Sequence, residues 1–201
     1  VPWTLQGNLA GRMTRIDNGS VQSLTGGGVR FAGGLALGEH IPVTFRNASL
    51  NSARLQMTLD GKVQPGGTAS LTGKGRHSQY GAFTIEAAMT GSGPNAVLLL
   101  ESPLPAAGLK DVRIALAPVD DRFRIETTGQ SALGPFDGVL GVTLQPGGTT
   151  QVAIERMRVR QTDVTGGVTL ADAGVSGRIA LVGGGLDGNV TLAPRDGGQS
   201  F

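Results

Sequence analysis

Gly166-Gly167-Val168-Thr169-Leu170, Gly177-Arg178-Ile179-Ala180-Leu181 and Gly188-Asn189-Val190-Thr191-Leu192 are three versions of one phrase inside the stretch 166–192. The leading glycines stand 11 residues apart, each followed at +2 by a β-branched residue and at +4 by leucine. Alternation at period 2 sends every second side chain to the same face of a strand. Between the phrases lie turn formers, Asp172-Ala173-Gly174 and Gly183-Gly184-Gly185 with Asp187. A step of 11 predicts strands of about 6–8 residues joined by turns of about 2–5. The chain therefore lays down one short strand after another, each adding an apolar stripe to a common face. Recurrence of this kind marks a repetitive architecture.

Composition agrees. The 201 residues include 34 Gly and 10 Pro, only 16% charged residues and 4% aromatics. Low charge and long apolar alternation argue for a folded chain despite the glycine. A core of Val, Leu, Ile, Ala and Gly is thin, because a closed β-sandwich of this size leans on aromatic rings to fill its interior. It points to an apolar surface not tightly closed upon itself.

The same alternation runs along the whole chain. In the first half it is cleanest at Leu55, Met57, Leu59 and Val63, opposite Gln56, Thr58, Asp60 and Lys62. Leu71, then Phe83, Ile85 and Met89, continue it. In the second half Val112, Ile114 and Leu116, Phe123 and Ile125, and Leu140 and Val142 lead into Val168, Leu170, Ile179, Leu181, Val190 and Leu192. These are the candidate lining residues of an apolar groove. Earlier, Trp3 to Leu9 and Val29 to Leu37 alternate, a second short strand is predicted from Met13 to Asp17, and Asn18-Gly19 is a hairpin dipeptide. Val97–Leu100 is a continuous apolar run, predicted to be buried on both faces. Residues 149–165 carry neither Gly nor Pro and are the one place where a helix competes with a strand. There the parity switches between Ile154 and Met157, which in a strand implies a bulge. Short connections predict antiparallel neighbours. The expectation is one all-β segment over 1–201: a long, mostly antiparallel, glycine-rich curled sheet or open trough with an apolar inner face.

Signals for chemistry are weak. Gly183-Gly184-Gly185-Leu186-Asp187-Gly188 and Gly91-Ser92-Gly93-Pro94-Asn95-Ala96 fit a dinucleotide-type glycine pattern. That pattern binds pyrophosphate only where it opens a helix; both lead into strands and read as turns. His40 and His77 lack partners at ligand spacing and read as solvated loop histidines. Asp120-Asp121 follows Pro118-Val119 and reads as a turn. Arg156, Arg158 and Arg160, like Arg122 and Arg124, read as a solvated outer face. No catalytic residue, metal site or cofactor is expected. A net charge of +2 without interleaved aromatics argues against nucleic acid. No apolar run is long enough for a membrane-spanning helix. Both ends read as cut from something longer.

Leu133-Gly134-Pro135-Phe136-Asp137-Gly138 and Val182-Gly183-Gly184-Gly185-Leu186-Asp187-Gly188-Asn189-Val190, with the texture around them, are similar to the periplasmic body of the AsmA-like (TamB-type) bridge lipid-transport family of Gram-negative envelopes. The resemblance implies a β-taco with a greasy inner face that carries phospholipid between inner and outer membranes. It also implies an inner-membrane anchor in the full-length protein, a periplasmic location, and an outer-membrane β-barrel partner linked to outer-membrane protein assembly. Physical reasoning is compatible with this. An exposed acyl chain of about 16 carbons costs roughly 12 kcal/mol in water. Nearly identical stripes from strand to strand would let such a chain slide with little change in energy. On the order of 14 strands at about 4.8 Å spacing give roughly 65 Å of trough. A β-solenoid adhesin or passenger domain with a closed, dry core is the alternative. A membrane β-barrel would want aromatic girdles that this chain lacks.

Overall fold

The computed structural model describes residues 3–194 apart from 18, 40, 121, 146–148, 172–173 and 186. Two compact units are distinguished, Val1–Pro105 and Ala106–Phe201. Unit 1 contains β1 (Thr4–Met13), α1 (Gly19–Thr25), β2 (Val29–Gly38), β3 (Val43–Asn51), β4 (Leu55–Val63), β5 (Ala69–His77), β6 (Gly81–Thr90) and β7 (Gly93–Leu100). Unit 2 contains β8 (Lys110–Val119), β9 (Arg122–Ser131), β10 (Gly134–Leu144), β11 (Thr150–Val159), β12 (Thr162–Ala171), β13 (Gly174–Val182) and β14 (Gly188–Leu192). Within each unit every strand pairs antiparallel with the next in sequence. The chain is thus all-β and glycine-rich, each unit an open antiparallel sheet of short strands with an apolar face.

Local chemistry sets the turns. Gly67 takes φ +83° and donates its N–H to the Gln64 carbonyl, closing the β4–β5 turn after Pro65. Asp120 holds φ +55° between β8 and β9, a conformation that Asp tolerates better than most side chains. Gly183, Gly184 and Gly185 all have positive φ between β13 and β14, where Asp187 Oδ1 accepts from Gly183 N at 3.1 Å.

Among the described residues, three bulges keep the apolar residues together. The parity switch at Ile154/Met157 is a bulge in β11, with Glu155 the extra residue, as the sequence predicts. Two further bulges go beyond that expectation, although the one in β3 carries the same kind of parity change, from Val43 and Phe45 to Ala48 and Leu50. One lies in β3 between Phe45 and Ala48, where Asn47 adopts φ +48° and donates its N–H to Asp60 Oδ1 at 2.9 Å. The other lies in β8 between Lys110 and Arg113, with Asp111 at φ +50°. An extra residue resets a period-2 strand, so Val43 and Phe45 share a face with Ala48 and Leu50.

The region 149–165 forms β11 and the start of β12, in keeping with the all-β reading, with no helix. Several other expectations are corrected. No strand runs from Met13 to Asp17, and Gly19 opens α1 instead of closing a hairpin. β1 runs unbroken through Gly11 and pairs over its whole length with β2, ending at Met13↔Val29. That long register leaves residues 14–28 as a connection, so the local Asn-Gly preference is overridden; Asn18 itself lies outside the described residues. Val97–Leu100 is not buried on both faces. It alternates, and Leu99 is 47% exposed on the polar side. Gly93 to Ala96 belong to β7, leaving only Gly91 and Ser92 in the turn. Gly166 and Gly177 lie inside β12 and β13, which are longer than the step of 11 suggests, and only Gly188 begins a strand. His40, Asp121, residues 146–148, Asp172-Ala173 and Leu186 lie outside the described residues.

Candidate functional site

Residues paired across an antiparallel ladder share a face, so the registers trace the apolar stripe strand by strand. In unit 1, Leu55, Met57, Leu59 and Val63 of β4 stand opposite His77, Gly75, Gly73 and Ala69 of β5, and Leu71 pairs with Gly61. On β6, Phe83, Ile85 and Met89 pair with Gly75, Gly73 and Ala69. Leu98 and Leu100 of β7 pair with Ile85 and Phe83. On the other side the stripe runs through Leu50, Ala48, Phe45 and Val43 of β3 and Leu35 and Phe31 of β2 to Leu9, Gly11 and Met13 of β1. His77 is the single polar side chain on this traced stripe of unit 1.

Unit 2 repeats the arrangement. Ile114 and Leu116 of β8 pair with Thr127 and Ile125 of β9, and Phe123 pairs with Pro118. Leu140 and Val142 of β10 pair with Ile125 and Phe123, then with Ile154 and Val152 of β11. Val168 and Leu170 of β12 follow, opposite Gly177 and Val175 of β13, where Ile179 and Leu181 continue the stripe. Val190 and Leu192 of β14 pair with Ile179 and Gly177. Val112 joins this face beyond the β8 bulge, close enough to Gly129 to touch a Cβ placed there. All the candidate lining residues thus fall on the apolar face of their own unit.

That face is not covered. No described side chain is fully buried, and only Val29, Leu55, Val112, Val139 and Val164 count as buried hydrophobics. Leu5 and Leu9 on β1 are 60% and 54% exposed; Met13, Phe31, Val63, Met89, Leu144, Leu170 and Val190 are exposed as well. A monomeric protein rarely exposes a contiguous apolar patch beyond a few hundred Å², and larger ones mark a ligand or partner site. Sheet stability here comes from the backbone ladder and cross-strand contacts within each face, not from a second layer within the unit.

Glycine keeps the face low. Four phenylalanines pair in register with a glycine: Phe31 with Gly11, Phe45 with Gly61, Phe83 with Gly75 and Phe136 with Gly129. A Cβ built on any of these glycines would collide with the ring opposite. Each ring lies across its glycine and so covers backbone while projecting little above the sheet. Sequence reading saw rings as scarce but missed this use of them; the signal was Phe on the stripe parity facing a Gly on the neighbouring strand. Gly61→Val is expected to push the Phe45 ring off its seat and cost about 1–3 kcal/mol. Urea unfolding would measure this, and Phe45→Ala in the same chain should recover part of the loss.

The opposite faces are polar. In unit 2, Arg122 reaches Glu155 at 2.8 Å, Arg124 reaches Glu126 at 3.3 Å, Arg156 reaches Asp137 at 3.7 Å and Arg158 reaches Asp163 at 2.8 Å. Arg158 donates through both Nε and an Nη to the two Asp163 oxygens. The hydrogen bond from Arg158 holds the Asp163 carboxyl below its ordinary range, and the same bond raises Arg158. Arg160 departs from the expected outer-face row: it sits in the β11–β12 turn with φ +56°.

His77 is the clear miss. It is 4% exposed at the end of β5, not a solvated loop residue. Its Nε2 lies 2.9 Å from the Leu24 carbonyl of α1, a hydrogen bond that Nε2–H donates, because Nδ1 accepts from Gln79 N at 3.1 Å and Tyr80 N at 3.3 Å. The ring stacks on Tyr80 with centroids 4.7 Å apart. Both nitrogens are thus occupied by structural bonds that tie α1 to the end of the sheet. Nothing in the local sequence signals it, since α1 approaches from 53 residues away.

Fold and faces together define a class: an open antiparallel β protein whose units each carry one uncovered aliphatic face and one polar face. No family model, curated protein or solved structure matches the chain.

Proposed function

We propose that the aliphatic faces are a binding surface for phospholipid acyl chains, and that the chain is a section of a periplasmic conduit passing lipid between the inner and outer membranes of a Gram-negative envelope, as in AsmA-like lipid bridges. The observation that carries this reading is the continuity of an uncovered apolar stripe across every strand of each unit. A methylene removed from water is worth about 0.8 kcal/mol, so acyl chains laid on such a stripe are strongly favoured over exposed ones. The low profile set by the Phe–Gly pairs suits a chain that slides, since a ring standing upright would be a step in its path. A closed solenoid core, by contrast, would show fully buried side chains. Anchoring of the full-length protein in the inner membrane, an outer-membrane β-barrel partner and a link to outer-membrane protein assembly belong to the same proposal.

Native mass spectrometry of the chain purified from a Gram-negative envelope tests it. Phospholipid is expected to co-purify and to be replaced by a fluorescent phospholipid offered in vesicles. A chain that carries no lipid and takes up none, while remaining folded, overturns the reading.

A further inference from the structure

The polar face of unit 1 differs in charge pairing from that of unit 2. Along β1 to β5 it presents Arg12, Arg30, Arg46, Lys62, Lys74 and Arg76, all exposed. Among the described residues none of these six has a carboxylate within 4.0 Å, whereas Arg122, Arg124, Arg156 and Arg158 of unit 2 each have one. Two strand acids, Asp60 and Glu86, share the unit 1 face, with Glu101 following β7 opposite Ala82, and Asp60 is engaged with the Asn47 N–H. Arg12 and Arg30 are direct cross-strand partners. Like charges placed opposite each other destabilise a sheet, and an anion held between them would relieve that repulsion.

We propose that this face docks on an anionic bilayer surface, through contacts between its cations and lipid phosphates. The chemistry selects that partner. Between the cations stand hydroxyl and amide side chains: Lys62 is flanked in register by Thr44 and Ser70, Lys74 by Thr58 and Thr84, and Arg30 by Asn51. These are phosphate-binding groups. From β1 to β5 the face carries no aromatic and no aliphatic side chain larger than alanine. It therefore lacks the stacking platforms of single-stranded nucleic acid binding and the apolar anchors on which protein interfaces rely. The cations are spread in two dimensions over five strands, matching a layer of head groups better than a single polyanion strand. Unit 1 would then hold a membrane with one side of its sheet and keep the apolar side free. This inference rests on charge and register and stands apart from the acyl-chain reading.

Co-sedimentation with phosphatidylcholine vesicles, with and without phosphatidylglycerol, is the test. Binding is expected to require phosphatidylglycerol and to weaken as salt rises. Each cation near the surface contributes roughly five-fold, so Arg12→Gln/Arg30→Gln/Arg76→Gln is expected to weaken binding by about two orders of magnitude. Arg122→Gln/Arg124→Gln/Arg156→Gln removes the same net charge from paired positions and is expected to keep most of the binding. Equal loss in the two triple variants overturns the assignment, as does equal binding to pure phosphatidylcholine, or a stronger preference for single-stranded RNA over the anionic vesicles. Circular dichroism melts of both variants check the fold. Acyl-chain uptake should not respond to either triple change, so the two readings fail separately.

Discussion

Leu181→Arg and Ile114→Arg are each expected to empty unit 2 of bound lipid while leaving it folded. Both side chains lie on the apolar stripe, Leu181 paired with Val164 and Gly188, Ile114 with Thr127. Both are half-buried. A guanidinium at a position surrounded by hydrocarbon costs about 2.5–3.5 kcal/mol. That corresponds to a loss of acyl-chain affinity of roughly 100-fold. In the unliganded sheet the same arginine reaches water directly, so the cost to folding is expected to be about 1 kcal/mol. The contrast between a large loss of occupancy and a small loss of stability is the diagnostic. Thr169→Arg supplies the comparison, because Thr169 pairs with Gln151 and Ser176 on the polar face and should leave occupancy unchanged. Lipid per chain by mass spectrometry and the midpoint of urea unfolding would be read on the same preparations. Leu181→Arg with full lipid occupancy would show that the stripe does not carry the lipid. A chain that unfolds outright would show that the stripe is a closed core.

The apolar face was legible because a strand's side-chain period is fixed by backbone geometry. Leu55 to Val63 could be assigned to one side without knowing any partner, and antiparallel pairing then carried that assignment across β5, β6 and β7. The β11 bulge was legible too, since a strand whose apolar series changes parity needs an inserted residue to keep that series on one face. The β3 bulge carries the same parity change, between Phe45 and Ala48, and was overlooked; the β8 bulge at Asp111 interrupts no apolar series, and the positive φ at both has no local signal. Asn47 relies on the Asp60 carboxylate from the neighbouring strand. His77 and α1 were missed for the same reason: their contact spans a long sequence separation and draws on no local pattern. Val97–Leu100 misled because four consecutive apolar residues look the same whether one face or both are covered. Only the register places Leu98 and Leu100 on the stripe and leaves Val97 and Leu99 on the other side. Val139 shows the converse case, a buried aliphatic on the polar face, flanked in register by Glu126 and Arg156. Long side chains can shield an aliphatic neighbour with their stems while their charges stay in water.

Gly166→Ala is expected to cost about 3 kcal/mol, whereas Gly188→Ala, at the same place in the repeated phrase, should be neutral or slightly stabilising. In sequence the two glycines are equivalent, each leading a β-branched residue and a leucine. In the structure they are not. Gly166 sits inside β12 with φ +131°, a conformation that an L side chain rarely adopts. A Cβ there would run into the Arg178 carbonyl oxygen of β13 and stand 3.0 Å from the Ile179 Cα. Both obstacles are backbone, so no rotamer change relieves them. Gly177 is similarly placed, its Cβ meeting the Gly167 carbonyl oxygen, with the Val168 Cα 2.8 Å away. Gly188 opens β14 with no atom within 4 Å of its Cβ position and an ordinary φ, so alanine there only restricts the unfolded chain. Urea unfolding of the Gly166→Ala, Gly177→Ala and Gly188→Ala variants separates the cases. A Gly188→Ala loss as large as that of Gly166→Ala would mean that the β13–β14 register is wrong. An unaffected Gly166→Ala would mean that β12 and β13 do not approach as closely as described. The ordering matters for function because Gly166 and Gly177 lie on the apolar face between Ile154 and Ile179 and between Val168 and Leu192. Where they lack a side chain, the branched residues opposite form the surface, and the stripe stays level across the strands.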